Sequence, residues 1–285
     1  MNQKPENQKK LNKNYINLLI NKFKNKKIGL CIGSGAARGY AAIPIIEELE
    51  NLDININLVS GCSVGSIIGA YYCLNGEINS LYEKLEKMSK KNWLSLIDLD
   101  VPTRSLIKGK KIKKFLQENF FQDKTFEDLK IPLVIVSTNL NTNKVEYFTS
   151  GLLIDAIMAS ISIPGIFPTY KIENNHFIDG GIKENLPYDI LFEKGMHKVI
   201  GIDFNTNDKK SKISYDSSFD VLLNTFYMLL QTSKLYENKN NLFVFQPVFE
   251  RSIGDSMKFY QTKENYNSGS LEFKNQIDNF FRWLK

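Results

Sequence analysis

Short apolar runs alternate with helical patterns along this chain, and this alternation constrains the fold more than any other feature. The apolar runs include Ile28–Ile32, "NLVS", "IPLVIVSTNL" and "HKVIGIDF". Strands of a parallel sheet are buried on both faces, so their sequences are almost continuously apolar, and helices connect them. The sequence therefore predicts an α/β fold with a mostly parallel central sheet that is covered by helices.

The remaining elements follow from local periodicity. Shorter strands are predicted at "KVEYF", "HFID" and "LFVFQPVF". Helices are predicted at about Arg38–Leu49 (with Pro44 just beyond its first turn), at Ser63–Tyr72, at "LLIDAIMAS", near 217–235 and at the end of the chain. The final helix carries an apolar stripe made of Leu271, Ile277, Phe280, Phe281 and Leu284.

Length, cysteine content and the distribution of apolar residues indicate the cellular compartment and exclude several classes of protein. A length of 285 residues suits one α/β unit, and three cysteines without paired spacing argue against a disulfide framework or a zinc site. The sequence has no apolar run long enough to span a bilayer and no pattern typical of a signal peptide. We therefore expect a cytoplasmic protein without a zinc site.

Positive charge is concentrated at the N-terminus. Residues 1–27 contain eight lysines and one acid, which is +7, so the remaining residues carry −1 of the total of +6. A basic tail without a basic face on the body argues against a nucleic-acid partner. Leu11, Tyr15 and Leu18 follow helical spacing, so the tail is either a helix that docks on the body or a basic amphipathic helix that makes peripheral contact with an anionic membrane.

A possible nucleophile lies in "SGCSVGS". Its G-x-S-x-G pattern places Ser63 between a short strand and an apolar helix, the context of a nucleophile elbow. Such a tight turn needs small residues two positions on either side of the nucleophile. Gly61 and Gly65 flank Ser63 at this spacing and do not flank Cys62, so Ser63 is the candidate nucleophile and Cys62 is a small buried residue.

A serine nucleophile needs a base, and the two histidines are poor candidates. His197 lies between a helix end and a strand, and His176 is three residues before an aspartate, in a possible turn. Asp179 ends the apolar run of "FIDGG" and is followed by two glycines, which allow another group to approach closely. This motif is consistent with a carboxylate that acts as the base or with an ordinary Asp-Gly turn.

The glycine-rich stretch "IGSGAARGY" follows the first predicted strand. Such stretches bind dinucleotides, phosphates or a developing oxyanion. From Gly33 the third glycine is one position late for a dinucleotide fingerprint, and no G-K-[ST] is present for a phosphate loop. The spacing therefore favours an oxyanion-binding segment over a nucleotide-binding protein.

Taken together, "GSGAARG", "GCSVG" and "DGG" resemble the motifs of the patatin-like phospholipase family. The resemblance extends over residues 27–204 and includes "STNLNTNKVEYFTSG" and "AIMASISIPGIFPTY". It implies a three-layer patatin-like fold with helices on both faces of the sheet. Many members of the family have glycine where this chain has Ser34 and Ala36.

The resemblance also implies the role of each site residue. Ser63 corresponds to the nucleophile and Asp179 to the base of a Ser–Asp dyad, and Gly35, Ala36 and Arg38 fall in the oxyanion segment. Arg38 either contacts the substrate or braces the loop. The motif glycines are Gly33, Gly39, Gly61, Gly65, Gly180 and Gly181.

The implied activity is hydrolysis of a phospholipid, lysophospholipid or other lipid ester through an acyl-enzyme, with no metal and no cofactor. A transacylase with the same dyad and a catalytically silent lipid-binding protein are the alternatives. The apolar stretches "NWLSLIDLDV" and "SISIPGIF" either bind an acyl chain or form core. We expect three parts: a basic extension at 1–26, a catalytic core at 27–210, and C-terminal elements at 211–285 that complete the same domain.

Overall fold

A computed structural model gives the architecture of the chain. It describes residues 26–88, 90–100, 105–205, 221–222, 224–228, 240–249, 258–260 and 262–285. The basic tail that was predicted to form a helix therefore lies outside the described residues, except for its last two lysines. Of the helix predicted near 217–235, residues 221–222 and 224–228 are described, and they are helical.

The described strands form a single mixed sheet. Five neighbouring strands run parallel in the order β3-β2-β1-β7-β8, and the antiparallel strands β4, β5 and β6 lie on the β3 side. The strands are β1 (Ile28–Ile32), β2 (Ile56–Cys62), β3 (Leu133–Asn139), β4 (Lys144–Phe148), β5 (Tyr170–Ile172), β6 (Asn175–Asp179), β7 (Lys198–Ile202) and β8 (Leu242–Phe245).

Helices cover both faces of this sheet, which confirms the predicted α/β class. Along β1, Leu30 and Ile32 belong to the larger core, whereas Cys31 belongs to a smaller core on the opposite face, as alternation along a strand requires. The α-helices with defined bounds are α1 (Ala42–Asn51), α2 (Val64–Asn75), α3 (Asn79–Glu86), α4 (Lys90–Ser95), α5 (Lys110–Leu116), α6 (Leu153–Ser160), α7 (Asp189–Glu193) and α8 (Thr262–Leu284).

Two helices differ from the sequence prediction. The helix expected at about Arg38–Leu49 is a 3₁₀ turn at Ala36–Ala41 followed by α1, so Pro44 lies inside the first turn of α1. A proline is tolerated there because the first amides of a helix have no acceptor within the helix.

Leu271 was wrongly assigned to the buried stripe of the final helix, because its side chain is 59% exposed. It lies six positions before Ile277, which is about 240° around an α-helix. The large apolar side chains that this helix buries are instead Phe273, Phe280, Phe281 and Leu284. Within the described residues, none of the helices combines the length and the apolar character needed to cross a bilayer.

The last helix packs against the glycine-rich segment that follows β1. A Cβ atom on Gly269 would lie 2.0 Å from the carbonyl oxygen of Ala41, so only glycine permits this approach of α8. Asn265 donates a side-chain hydrogen bond of 2.9 Å to the carbonyl oxygen of Ala37. The 3₁₀ turn is thus supported by an element more than two hundred residues away in sequence.

Candidate active site

Ser63 occupies a strained turn between β2 and α2. Its backbone angles are φ 53° and ψ −123°, a conformation that non-glycine residues rarely adopt. A Cβ atom on Gly61 would lie 2.4 Å from the carbonyl oxygen of Gly65, and one on Gly65 would lie 2.2 Å from that of Ile32. The two flanking glycines therefore permit both the tight turn and its contact with the end of β1.

Hydrogen bonds fix the backbone of this turn. The amide of Ser63 donates to Ser160 Oγ at 2.8 Å, and Ser160 Oγ in turn donates to the carbonyl oxygen of Val136 at 2.6 Å. Ser66 Oγ donates to the carbonyl oxygen of Ser63 at 2.6 Å. Sequence reasoning missed Ser160, since a serine at the end of an apolar helix carries no signal of a contact ninety-seven positions away.

Asp179 ends β6 and is completely buried. Its Oδ1 accepts a hydrogen bond of 2.8 Å from the amide of Gly181, and its own amide donates to the carbonyl oxygen of Ser162 at 2.9 Å. Its carbonyl oxygen accepts a hydrogen bond of 3.1 Å from Thr138 Oγ1 on the neighbouring strand. The aspartate is thus held rigidly through both its backbone and one carboxylate oxygen.

The structure brings Asp179 and Ser63 together. Burial raises the pKa of the Asp179 carboxyl to about 7, and hydrogen bonding from Ser63 and from the Gly181 amide opposes this rise. Asp179 Oδ2 is buried and has no partner of full hydrogen-bond geometry among the described residues. Ser63 is therefore close enough to lower the pKa of this carboxyl, although Oδ2 has no hydrogen bond of full geometry.

The glycine-rich segment passes beside this pair. The first hydrogen bond of its 3₁₀ turn runs from the Arg38 amide to the Gly35 carbonyl oxygen. The amides of Gly35 and Ala36 come before Arg38 in the chain and are therefore not donors within this turn. A Cβ atom on Gly35 would lie 2.6 Å from Phe204 Cβ, which explains a glycine at this position. Ala36 lines the same cavity as Ser63.

The other motif glycines serve close packing. Gly33 donates its amide to the carbonyl oxygen of Ile202 at 3.0 Å. A Cβ atom on Gly39 would lie 2.6 Å from the Val64 side chain, and one on Gly180 would lie 2.5 Å from the carbonyl oxygen of Val136.

Ala36 itself is strained, with φ 48°. We expect Ala36→Gly to raise the free energy of unfolding by about 1 kcal/mol and to keep ester hydrolysis, because glycine adopts this conformation freely. Ala37→Gly is the matched control, since Ala37 lies in the same turn without a positive φ and should lose a similar amount. Chemical denaturation measures both; destabilisation by Ala36→Gly would contradict this interpretation.

Arg38 is buried, and its side chain contacts the segment after β7 and two aromatic rings. Its Nη1 donates to the carbonyl oxygen of Phe204 at 3.4 Å, and its guanidinium lies 4.9 Å from the ring centroid of Phe249 and 5.9 Å from that of Tyr227. These contacts favour bracing of the loop over contact with the substrate.

A buried polar network contacts the glycine-rich segment that follows β1. Asn205 donates a side-chain hydrogen bond of 3.0 Å to the carbonyl oxygen of Ser34. Asp203 accepts hydrogen bonds from the amide of Asn205 and from the side chain of Gln246. Sequence reasoning did not find this network, because its residues come from the segments that follow β1, β7 and β8.

An apolar cavity of about 230 Å³ leads to Ser63. Both apolar stretches singled out in the sequence contribute to its wall, through Trp93, Leu94 and Ile97 in one and Ile161 and Ile163 in the other. Side chains from α2, α3, α5, the segment around Phe120 and residues 259–260 also line it. These stretches therefore enclose a space with the shape and polarity that an acyl chain requires.

In the part of the chain that the structure describes, no histidine or cysteine side chain forms a hydrogen bond with Ser63 or Asp179. His176 and His197 are exposed; His176 pairs with Thr169 and His197 accepts a hydrogen bond from the Lys27 amide. Cys62 is fully buried, as predicted, and burial raises its pKa. Among the described residues, no group of three or more His, Cys, Asp or Glu is arranged to hold a metal ion.

Comparison with known proteins agrees with these motifs. Residues 30–192 match the sequence model of a family described as patatin-like phospholipase. Lysophospholipase NTE1 of Kluyveromyces lactis is 29% identical over 81% of this chain, and neuropathy target esterase sws of Drosophila melanogaster is 31% identical over 66% of it. The aligned regions span 16% and 14% of these relatives' own lengths.

Two solved structures are also similar. VipD from Legionella pneumophila superimposes with a TM-score of 0.45 at 13% identity, covering 86% of this chain and 67% of that one. The type III effector ExoU gives a TM-score of 0.37 at 11% identity, covering 88% of this chain and 53% of that one.

Proposed function

This chain belongs to the patatin-like phospholipase family, and from that premise we propose that it is a serine acyl hydrolase that cleaves carboxylic esters of lipids. The observation that carries the proposal is the placement of Ser63. It lies on a strained turn, beside a buried aspartate, at the end of an apolar cavity. Relatives named lysophospholipase and esterase support the same class of substrate.

The proposed reaction begins with proton transfer. The ionised Asp179 accepts the Ser63 hydroxyl proton while Ser63 Oγ attacks the ester carbonyl carbon. The carbonyl oxygen becomes negative and receives hydrogen bonds from the amides of Gly35 and Ala36. Each such donor is worth on the order of 3 kcal/mol in the transition state.

Collapse of the tetrahedral intermediate releases the alcohol part of the lipid, which takes the proton from Asp179. Ser63 then carries the acyl group as an ester. Asp179 next removes a proton from water, which attacks this ester, and the fatty acid leaves as Ser63 regains its proton. The acyl chain occupies the apolar cavity during both steps.

We propose lysophospholipids as preferred substrates, since relatives of this chain are named lysophospholipase. The cavity wall is almost entirely apolar and is built around the serine. We also propose a cytoplasmic location, because the three cysteines are free and buried, as suits a reducing compartment. The C-terminal strand and helix, which pack on β7 and on the 3₁₀ turn, are proposed to complete the same domain.

The test is product analysis on matched esters. We expect release of fatty acid from lysophosphatidylcholine and from p-nitrophenyl esters, with faster cleavage of medium than of acetyl chains because the cavity binds the chain. Failure to cleave any of these esters would overturn the proposal. Transfer of the acyl group to added glycerol in preference to water would instead identify a transacylase.

The pH dependence of kcat/KM reports the ionisation of the base. Since the Asp179 pKa is raised to about 7 by burial, we expect kcat/KM for a soluble p-nitrophenyl ester to increase tenfold per pH unit up to about pH 7 and then level off. If kcat/KM instead rose and levelled off near pH 4, as is typical of an exposed carboxyl, a different or less buried acid would be the base.

A further inference from the structure

One internal segment is far more basic than the body of the protein. Residues 87–114 contain eight lysines and Arg104 but only two acids, Asp98 and Asp100. This is a net charge of +7, so the residues outside this segment and outside the N-terminal 27 carry −8. The near-neutral charge of the body as a whole conceals this asymmetry.

The same segment exposes large apolar side chains. Leu94 is 50% exposed, Ile97 is 42% exposed and Leu99 is 74% exposed. Lys91, Lys108 and Lys110 are also exposed, and within the described ranges they form no ion pair. We refer to α4, α5 and the described residues that join them, 96–100 and 105–109, as the α4–α5 face.

Asp98 holds this face together. Its carboxylate accepts hydrogen bonds from the amides of Gly109 at 2.9 Å and Lys111 at 3.1 Å. Lys111 Nζ donates to the carbonyl oxygen of Ser95 at 3.1 Å, which joins α5 to the end of α4. Asp98, one of the two acids of the segment, is therefore bound to backbone amides. Together with Lys111 it holds α4 and α5, which carry the lysines and the exposed apolar side chains, next to each other.

The cavity that contains Ser63 is walled by this face. Trp93, Leu94 and Ile97 line it from α4 and the residues that follow, and Ile112 and Phe115 line it from α5. Leu94 and Ile97 are exposed to solvent and line the cavity at the same time, so they mark its rim. Lys90 Nζ lies 5.2 Å from the ring centroid of Tyr260, another lining residue.

We propose that the α4–α5 face docks on an anionic lipid surface and delivers a lipid directly to the cavity. Exposed leucine and isoleucine side chains enter the boundary of the acyl region, and the surrounding lysines meet the anionic head groups. This combination fits a lipid surface better than a nucleic acid, which has no apolar layer to receive the leucines. The inference rests on the proposed function, because docking here positions the acyl ester at Ser63.

The experiment is co-sedimentation of the full chain with vesicles of phosphatidylcholine alone and with about one third phosphatidylglycerol. We expect binding only to the anionic vesicles, with loss at high salt. The double variant Lys108→Glu/Lys110→Glu should reduce binding by more than about tenfold. Leu99→Ser should reduce binding severalfold, whereas the matched control Leu271→Ser, exposed on α8, should not.

The control for the charge reversal at Lys108 and Lys110 is the double variant Lys144→Glu/Lys171→Glu. It reverses the charge of two exposed lysines on β4 and β5. Equal loss of binding in this control would overturn the assignment of the face. So would loss of binding only when Lys9, Lys10 and Lys13 of the basic tail are reversed, or binding to duplex DNA in preference to vesicles.

Hydrolysis of a soluble p-nitrophenyl ester separates this inference from the proposed function. All these variants should keep the wild-type rate on the soluble ester, because none of the altered residues lines the cavity or belongs to the dyad. Cleavage of the soluble ester without the predicted vesicle pattern would reject the docking face alone. Normal vesicle binding without any ester cleavage would reject the proposed function.

Discussion

Replacing Ser63 by alanine is expected to reduce ester hydrolysis by about 10⁴-fold or more, since no other described side chain is placed to form the acyl-enzyme. The fold should be retained, because alanine suffers the same backbone strain at φ 53° as serine does. Rates with p-nitrophenyl butyrate and thermal unfolding measure the two effects separately.

The variant Cys62→Ala tests whether the residue next to Ser63 is the nucleophile instead. The Cys62 thiol is fully buried and its pKa is raised, so this variant should keep activity within about tenfold. A fluorophosphonate probe should label the wild type and Cys62→Ala but not Ser63→Ala. Labelling of Ser63→Ala, or full activity in that variant, would place the nucleophile elsewhere.

The Asp179→Asn variant is expected to lose activity by about 10³-fold or more and yet to be more stable than the wild type at pH 8. The carboxyl is completely buried and its pKa is raised to about 7, so ionising it costs free energy in the folded protein. A neutral amide of similar shape avoids that cost and still offers an oxygen to the Gly181 amide.

The pH dependence of stability follows from the two pKa values. The unfolded carboxyl ionises near pH 4 and the folded one near pH 7. The free energy of unfolding of the wild type should therefore fall, relative to Asp179→Asn, as the pH rises from about 4 to about 7. The gap should reach on the order of 4 kcal/mol above pH 7.

Urea denaturation of both proteins at pH 4.5 and pH 8 provides the measurement. The difference between the two proteins isolates Asp179 from other carboxyls with raised pKa values, such as those of Glu50 and Glu272. An equal gap at both pH values would mean that Asp179 is not protonated in the folded state near neutrality.

The sequence predicted those features that depend on local pattern. Continuous apolar runs located the strands β1, β3 and β7, and the register of Gly61 and Gly65 pointed to Ser63 in preference to Cys62. The position of Asp179 after an apolar run was ambiguous by itself, since Asp-Gly pairs are common in turns. Only the resemblance to a family gave it a role, and only the structure showed its burial.

Features that depend on long-range packing were not predictable. Ser160 and Asn205 look like ordinary polar residues until β3 and the segment after β1 are placed beside them. The α4–α5 face was overlooked because its charge was averaged over the whole body. Leu271 was misassigned because a spacing of six residues crosses from the buried to the exposed side of a helix.

The packing of α8 on the 3₁₀ turn has a consequence for biosynthesis. The amides proposed to bind the oxyanion lie in a segment that emerges from the ribosome more than two hundred residues before Asn265 and Gly269, which support it. Native contacts between such distant residues cannot form until the later residues have been synthesised. We therefore expect a nascent chain that lacks α8 to carry Ser63 without a finished oxyanion site, so that lipid cleavage begins only after this helix has docked.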